Sequence, residues 1–185
     1  MKEQNSNIFI IGYMGSGKTT IGQALARFMD RDFVDMDIAI EKEQGMPVST
    51  MFMKYGEHSF RNHEAQMLDK LVDDDNYEYP GQNYIISCES GIIQDDANRN
   101  ILNDRPVIWL DCETDIMYER ISKNPLPPYA YMHTGDEHKH REIFARQYEQ
   151  RKNLYKEVSD ITVNTGKCAS PEEIVKEILE GINSR

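Results

Sequence analysis

At 185 residues, 39% hydrophobic and 29% charged, the chain fits one α/β domain spanning 1–185 and leaves no room for a second catalytic domain. Its formal net charge of −11 disfavours non-specific binding to nucleic acid or an anionic membrane, so an anionic substrate must be met by a local basic cluster. Cys88, Cys112 and Cys168 form neither a disulfide framework nor a CxxC motif, Met1 to Ile11 is not a signal peptide, and no run approaches the roughly 20 apolar residues of a bilayer span; a cytoplasmic monomer with a small-molecule partner is expected.

In chain order, Ile8-Phe9-Ile10-Ile11 is the first of five short apolar runs that read as buried strands. The others lie around Phe33-Val34, at Tyr84-Ile85-Ile86, at Val107-Ile108-Trp109-Leu110 and at Ile161-Thr162-Val163. Helical patterns run from Lys18 to Met29, Glu57 to Val72, Glu113 to Lys123, Lys139 to Tyr155 and Pro171 to Ile182, the last with Ser170 as N-cap and Pro in the first turn. Strand and helix alternate, which predicts an α/β fold: a parallel sheet with helices on both faces.

Two segments interrupt the rhythm. Residues 38–60 read as a helical insertion, and residues 124–138, rich in Pro, Tyr, Gly and His, as a mobile lid. Open α/β sheets bind ligands at the carboxyl ends of their strands, where both segments can cover a ligand. The Asp73-Asp74-Asp75 run reads as a solvated turn.

The strongest local signal is Gly12-Tyr13-Met14-Gly15-Ser16-Gly17-Lys18-Thr19, a GxxxxGK[ST] pattern placed between a strand and a helix. Gly12, Gly15 and Gly17 let the backbone bend so that its N–H groups point inward at a β-phosphate. Lys18 reaches the β- and γ-phosphates, and Thr19 offers a hydroxyl to Mg²⁺. Ser16 and Thr20 complete the nucleotide-binding set, and the positive end of the helix adds to the attraction.

After the second strand comes Asp35-Met36-Asp37. In an extended segment both carboxylates face one side, so that one can help hold hydrated Mg²⁺ while the other takes a hydrogen bond from an acceptor hydroxyl; a solvated surface pair is the other reading. Arg61 and Glu64 share a helical face at i, i+3 spacing. This pair is either a surface salt bridge or a device in which Glu64 orients Arg61, whose planar fork suits a carboxylate.

The segments GYMGSGKTTIGQALA, FVDMDIAIEKEQGMPVSTMF, YGEHSFRNHEAQML and QRKNLY, in this order and spacing from about Asn7 to about Ile182, resemble the shikimate kinase family. The resemblance implies a three-layer P-loop kinase fold like that of nucleoside monophosphate kinases, with a five-stranded parallel sheet and a mobile lid. It implies ATP and Mg²⁺ as cofactors and transfer of the γ-phosphate to a hydroxyl of a small anionic metabolite, shikimate giving shikimate 3-phosphate. Asp35 then corresponds to the acidic residue near Mg²⁺, Asp37 to the one that binds the ring hydroxyls, Arg61 and Arg151 to the carboxylate clamp, and Arg120 to an arginine against adenine.

Two departures stand out. The family's three glycines after the third strand are Glu89-Ser90-Gly91 here, so that only Gly91 remains for a close approach to the ring. Asn124-Pro125-Leu126 lacks the lid arginine, which leaves Lys123 or Arg141 as substitutes. A carboxylate at Glu89 either repels an anionic substrate or binds an extra hydroxyl of another polyol. Kinases of other polyols or hydroxy acids, and a non-catalytic nucleotide-binding regulator, therefore stay open. His138-Lys139-His140 reads as solvated lid rather than a metal site, Tyr129 and Tyr131 as either a nucleotide cover or a surface pair, and Met51 and Met53 as core filler.

Overall fold

Residues 6–73, 83–123, 137–166 and 170–184 are described by a computed structural model. Its five strands are β1 (Ile8–Ile11), β2 (Asp32–Asp35), β3 (Tyr84–Ser87), β4 (Val107–Asp111) and β5 (Ile161–Asn164). They pair in the order β2-β3-β1-β4-β5, every pairing parallel. Seven helices accompany them: α1 (Lys18–Met29), α2 (Met36–Gln44), α3 (Val48–Val72), α4 (Asp96–Asn103), α5 (Thr114–Ser122), α6 (Glu137–Val158) and α7 (Pro171–Asn183).

The inner strands β3, β1 and β4 are short and apolar on both sides because both sides are covered. Along β1, Phe9 and Ile11 join a core with Ile86 and Trp109 and with Leu68 of α3, Tyr118 of α5 and Tyr155 of α6. Ile8 and Ile10 face the opposite core, built with Ile21 and Leu25 of α1 and Ile174 and Ile178 of α7. The three-layer α/β fold expected from the sequence is what forms. Helix α7 opens with a capping box, Ser170 and Glu173 each satisfying the other's backbone N–H.

The strand order places the site. The chain runs from β1 out to β2 and β3 on one side and then to β4 and β5 on the other. Ligand-binding loops therefore gather beside the carboxyl end of β1.

Two local expectations are corrected and a third is refined. Asp35-Met36-Asp37 is not one extended segment: β2 stops at Asp35, whose side chain caps α2, and Asp37 already lies in the first turn of that helix. The insertion at 38–60 divides into α2 and the start of α3, and α3 breaks at Gly56, whose φ of 79° and ψ of 172° are not helical, so the stretch from Glu57 is a separate helical run. Met51 is buried as expected, but Met53 is 73% exposed and fills no core. Helix α4 carries only Leu102 as a buried apolar side chain, too few apolar residues to mark it in the sequence. Of the expected lid, residues 124–136 lie outside the described residues, as do Cys168 and Asp74-Asp75.

Candidate active site

The loop between β1 and α1 turns through left-handed backbone at Gly15, φ 80°, and Gly17, φ 97°. Gly17 is the N-cap of α1, so the free N–H groups of that helix open onto the loop. A side chain at Gly15 would fall within 2.5 Å of the Met117 carbonyl, a second reason for glycine there. Ser16 N–H donates to the Tyr13 carbonyl at 3.1 Å and tightens the turn.

Long-range contacts then fix the loop. Thr165, just past β5, donates its hydroxyl to the Ser16 carbonyl at 2.7 Å. Arg120 of α5 donates to the Gly15 carbonyl at 3.1 Å and to the Thr165 carbonyl at 2.8 Å. Arg120 thus sits where the loop meets the segment after β5, on the nucleotide side. Tyr13 is fully buried, packed against Phe144 and Tyr148 of α6 and donating to Gln147 at 2.9 Å. Neither Tyr13, at a free position of the motif, nor Thr165 was singled out from the sequence. A hydroxyl residue just past the last strand was the available signal.

Lys18 curls over the loop, donating to the carbonyls of Gly12 at 3.0 Å and Tyr13 at 3.3 Å. Thr19 Oγ1 donates to Asp35 Oδ2 at 2.9 Å, while Asp35 Oδ1 accepts from the Asp37 N–H at 3.1 Å. Thr20 is exposed in the first turn of α1.

The facing wall is charged. Arg61 of α3 donates to Glu64 at 2.6 Å and to Glu57 at 3.1 Å, and its guanidinium lies near the Phe52 and Phe60 rings. Glu64 is fully buried, and burial pushes its carboxyl up to about 7 even though Arg61 pulls it down. Of the two readings of the Arg61–Glu64 pair, the surface salt bridge is excluded. Glu64 is an internal anchor. A cavity of about 490 Å³ opens beside Arg61, Glu57 and Gly91.

Glu89 is drawn into this network. Burial opposes its charge, but Lys18, a hydrogen bond with Asp37, Arg61 and Ser90 together hold the carboxyl below its ordinary value. Asp37 moves the other way, raised by its own burial and by Glu89 beside it. The pair is thus pushed apart, Glu89 toward its charged form and Asp37 toward its neutral one. Ser90 donates to Glu89 at 3.1 Å, and Tyr155, another residue the sequence reading missed, donates to the Ser90 carbonyl at 2.5 Å. Arg151 of α6 stacks over Tyr13 at 5.4 Å and acts on the Glu64 charge.

Lys18, Asp35, Asp37, Arg61, Gly91 and Arg151 are thus brought around one space, with Glu64 and Glu89 as additions. Arg120 lies apart, at the other end of the loop. Arg141, one of the two proposed replacements for the lid arginine, is bound to Asp115 at 2.9 Å and rests over Tyr118. Lys123 is the exposed C-cap of α5.

The sequence model described as shikimate kinase matches residues 14–183. The chain belongs to the shikimate kinase family. It is 34% identical over 178 residues to the shikimate kinase of Bacillus cytotoxicus, covering 96% of this chain and 98% of that one. It is also 34% identical over 175 residues to that of Persephonella marina, covering 94% and 96%. Among solved structures it resembles a shikimate kinase from Acinetobacter baumannii in complex with shikimate, at a TM-score of 0.82 and 28% identity, over 98% of this chain and 95% of that one. Membership in this family does not favour the readings as another polyol kinase or a non-catalytic regulator. No helix among the described residues is long and apolar enough to cross a membrane.

Proposed function

We propose that the chain transfers the γ-phosphate of ATP to shikimate, giving shikimate 3-phosphate. The observation that carries this reading is the juxtaposition, in a member of this family, of a phosphate-binding loop bearing Lys18 with Arg61, which is anchored on the buried Glu64. ATP supplies the transferable phosphoryl group and Mg²⁺ the charge that neutralises it.

The loop fits a polyphosphate: its backbone turns at Gly15 and Gly17, and among the described residues the hydrogen-bond partners of Lys18 are backbone carbonyls, which phosphate oxygens can replace. The Thr19 hydroxyl and the Asp35 carboxylate are oxygen donors 2.9 Å apart, the donor type that Mg²⁺ selects. Thr19 and Asp35 would hold Mg²⁺ beside the loop, where it would neutralise charge on the phosphates.

Arg61 and Arg151 clamp the acceptor carboxylate, and Asp37 takes a hydrogen bond from the reacting hydroxyl. Lys18 offsets charge on the group in transfer, while Arg120 and Thr165 keep the loop from moving as it does so. Catalysis then rests on positioning and electrostatics. The protein works as a cytoplasmic monomer of one domain, in keeping with its buried free thiols Cys88 and Cys112.

A coupled assay of ADP release tests the reading. ATP consumption should depend on added shikimate and exceed that with gluconate or nucleoside monophosphates. Acceptor-independent hydrolysis, or an equal rate with gluconate, would exclude it.

A further inference from the structure

Gly91 adopts φ −96° and ψ −7°, ordinary right-handed backbone open to any residue. Its lack of a side chain therefore has nothing to do with conformational freedom. Space is the reason. A methyl group added at Gly91 would fall within 2.5 Å of Arg61 Nη2, and closer still to Nη1 and Cζ. The guanidinium lies on the bare Cα of Gly91.

Three other contacts hold Arg61 in that place. Glu64, with no exposed side-chain surface, takes Nη1, and Glu57 takes the Nη2 side. The aromatic rings of Phe52 and Phe60 pack near its plane. With the guanidinium tied on these sides, the cavity of about 490 Å³ is the way open to it, and Gly91 is the neighbour whose bare Cα gives it room. A side chain there evicts it rather than tilts it.

We propose that Gly91 is a positioning residue that seats Arg61, so that position 91 sets acceptor affinity through the arginine rather than by touching the acceptor. This accounts for an asymmetry in Glu89-Ser90-Gly91. Positions 89 and 90 accept side chains because those side chains have partners of their own, Ser90 donating to Glu89 and Glu89 lying in the field of Lys18 and Arg61. Position 91 has no room for one. The inference rests on the reading of Arg61 as part of the acceptor clamp.

The test is a double-mutant cycle of Gly91→Ala and Arg61→Lys, followed through KM for shikimate, KM for ATP and kcat, with the Arg61 Nε–H NMR signal as a reporter of the guanidinium that needs no turnover. Gly91→Ala should raise KM for shikimate by about tenfold or more, leave KM for ATP unchanged, lower kcat by less than about threefold and shift the Nε–H signal. In the Arg61→Lys background the same substitution should change KM for shikimate by less than about twofold, because the seat no longer has its occupant. Equal losses in both backgrounds would mean that the methyl meets the acceptor directly, and would overturn the proposal. So would an unmoved Nε–H signal, or a Gly91→Ala protein that does not fold. A parent enzyme indifferent to shikimate, with the signal still displaced by Gly91→Ala, would instead remove the proposed acceptor and leave the seat standing.

Discussion

Around the phosphate-binding loop, the contacts that fix geometry end on backbone carbonyls: Thr165 on Ser16, Arg120 on Gly15, Lys18 on Gly12. Across the site, on the acceptor wall, they run between ionisable side chains, Arg61 with Glu64 and Glu89 with Asp37. The first half depends on backbone shape, which a short glycine-rich motif encodes locally. The second depends on mutual compensation among charges taken out of water, where removing one partner strands another. Damage should therefore be selective on the nucleotide side, and should spread through several ionisable groups on the acceptor side.

The largest expected effect belongs to the nucleotide side. Lys18→Ala should lower single-turnover phosphoryl transfer by at least about a hundredfold, since a charge acting on the transition state leaves a preorganised site. The fold should survive, because Lys18 bonds to loop carbonyls alone among the described residues and is partly exposed. Near-parental transfer, or loss of the circular dichroism signal, would break the distinction between the two halves.

That half was legible in the sequence for a physical reason: eight consecutive residues carry the whole backbone turn, and the strand before it and the helix after it have strong apolar patterns. The three inner strands were equally plain, apolar runs covered on both faces, and the edge strands less so, with Asp32 of β2 and Thr162 of β5 exposed. The acceptor half was legible only in part. Arg61 and Glu64 could be paired by their spacing, but whether the pair was exposed depended on packing from distant segments. Nothing in the sequence sets Glu89 beside Lys18 and Asp37, because these come from three different strand ends. Asp37 was expected on an extended segment, yet capping by Asp35 turned it into a helix. The short local capping bond won over strand continuation.

The next effects test the acceptor side. Replacing Arg61 or Arg151 with Lys should weaken binding of the acid by about 1.5–3 kcal/mol, through loss of a charge-assisted planar contact, while ATP affinity stays within about twofold of the parent. Calorimetry with each ligand separately measures both. A parallel fall in ATP affinity would assign these arginines to the nucleotide.

Glu64 offers a test through stability. Its carboxyl is raised to about 7 in the folded protein, chiefly by burial, so the fold binds a proton there more tightly than the unfolded chain does. A group raised in this way stabilises most below its ordinary value and loses that contribution as the pH rises through about 7. Relative to Glu64→Gln, the parent should therefore lose about 2 kcal/mol of stability between pH 5 and pH 7. Denaturant midpoints across that range give the difference. A flat difference would mean that Arg61 keeps Glu64 ionised throughout.

The smallest expected effect falls on Glu89, the residue by which the acceptor wall differs most from the three-glycine pattern. Its charge lies in the field of Lys18 and Arg61, the two cations that the reaction uses on opposite sides of the site. Glu89→Gln keeps the shape and the capacity to hydrogen-bond Asp37 and Ser90, but removes a negative charge that an incoming carboxylate must otherwise meet. It also withdraws one cause of the raised Asp37 value, which frees that carboxyl to ionise and returns part of the repulsion. The two changes oppose each other. Asp37 remains raised by its own burial, the largest cause, so the lost charge should prevail and the acid should bind more tightly by about 1 kcal/mol, roughly fivefold in KM for shikimate. KM for ATP should hardly move, because the loop's backbone contacts do not involve position 89. Because the gain is electrostatic, it should shrink as salt is raised. A weaker, salt-independent affinity in Glu89→Gln would show instead that the Glu89 carboxylate orients Lys18 or Arg61, and that the acceptor wall needs its full set of charges.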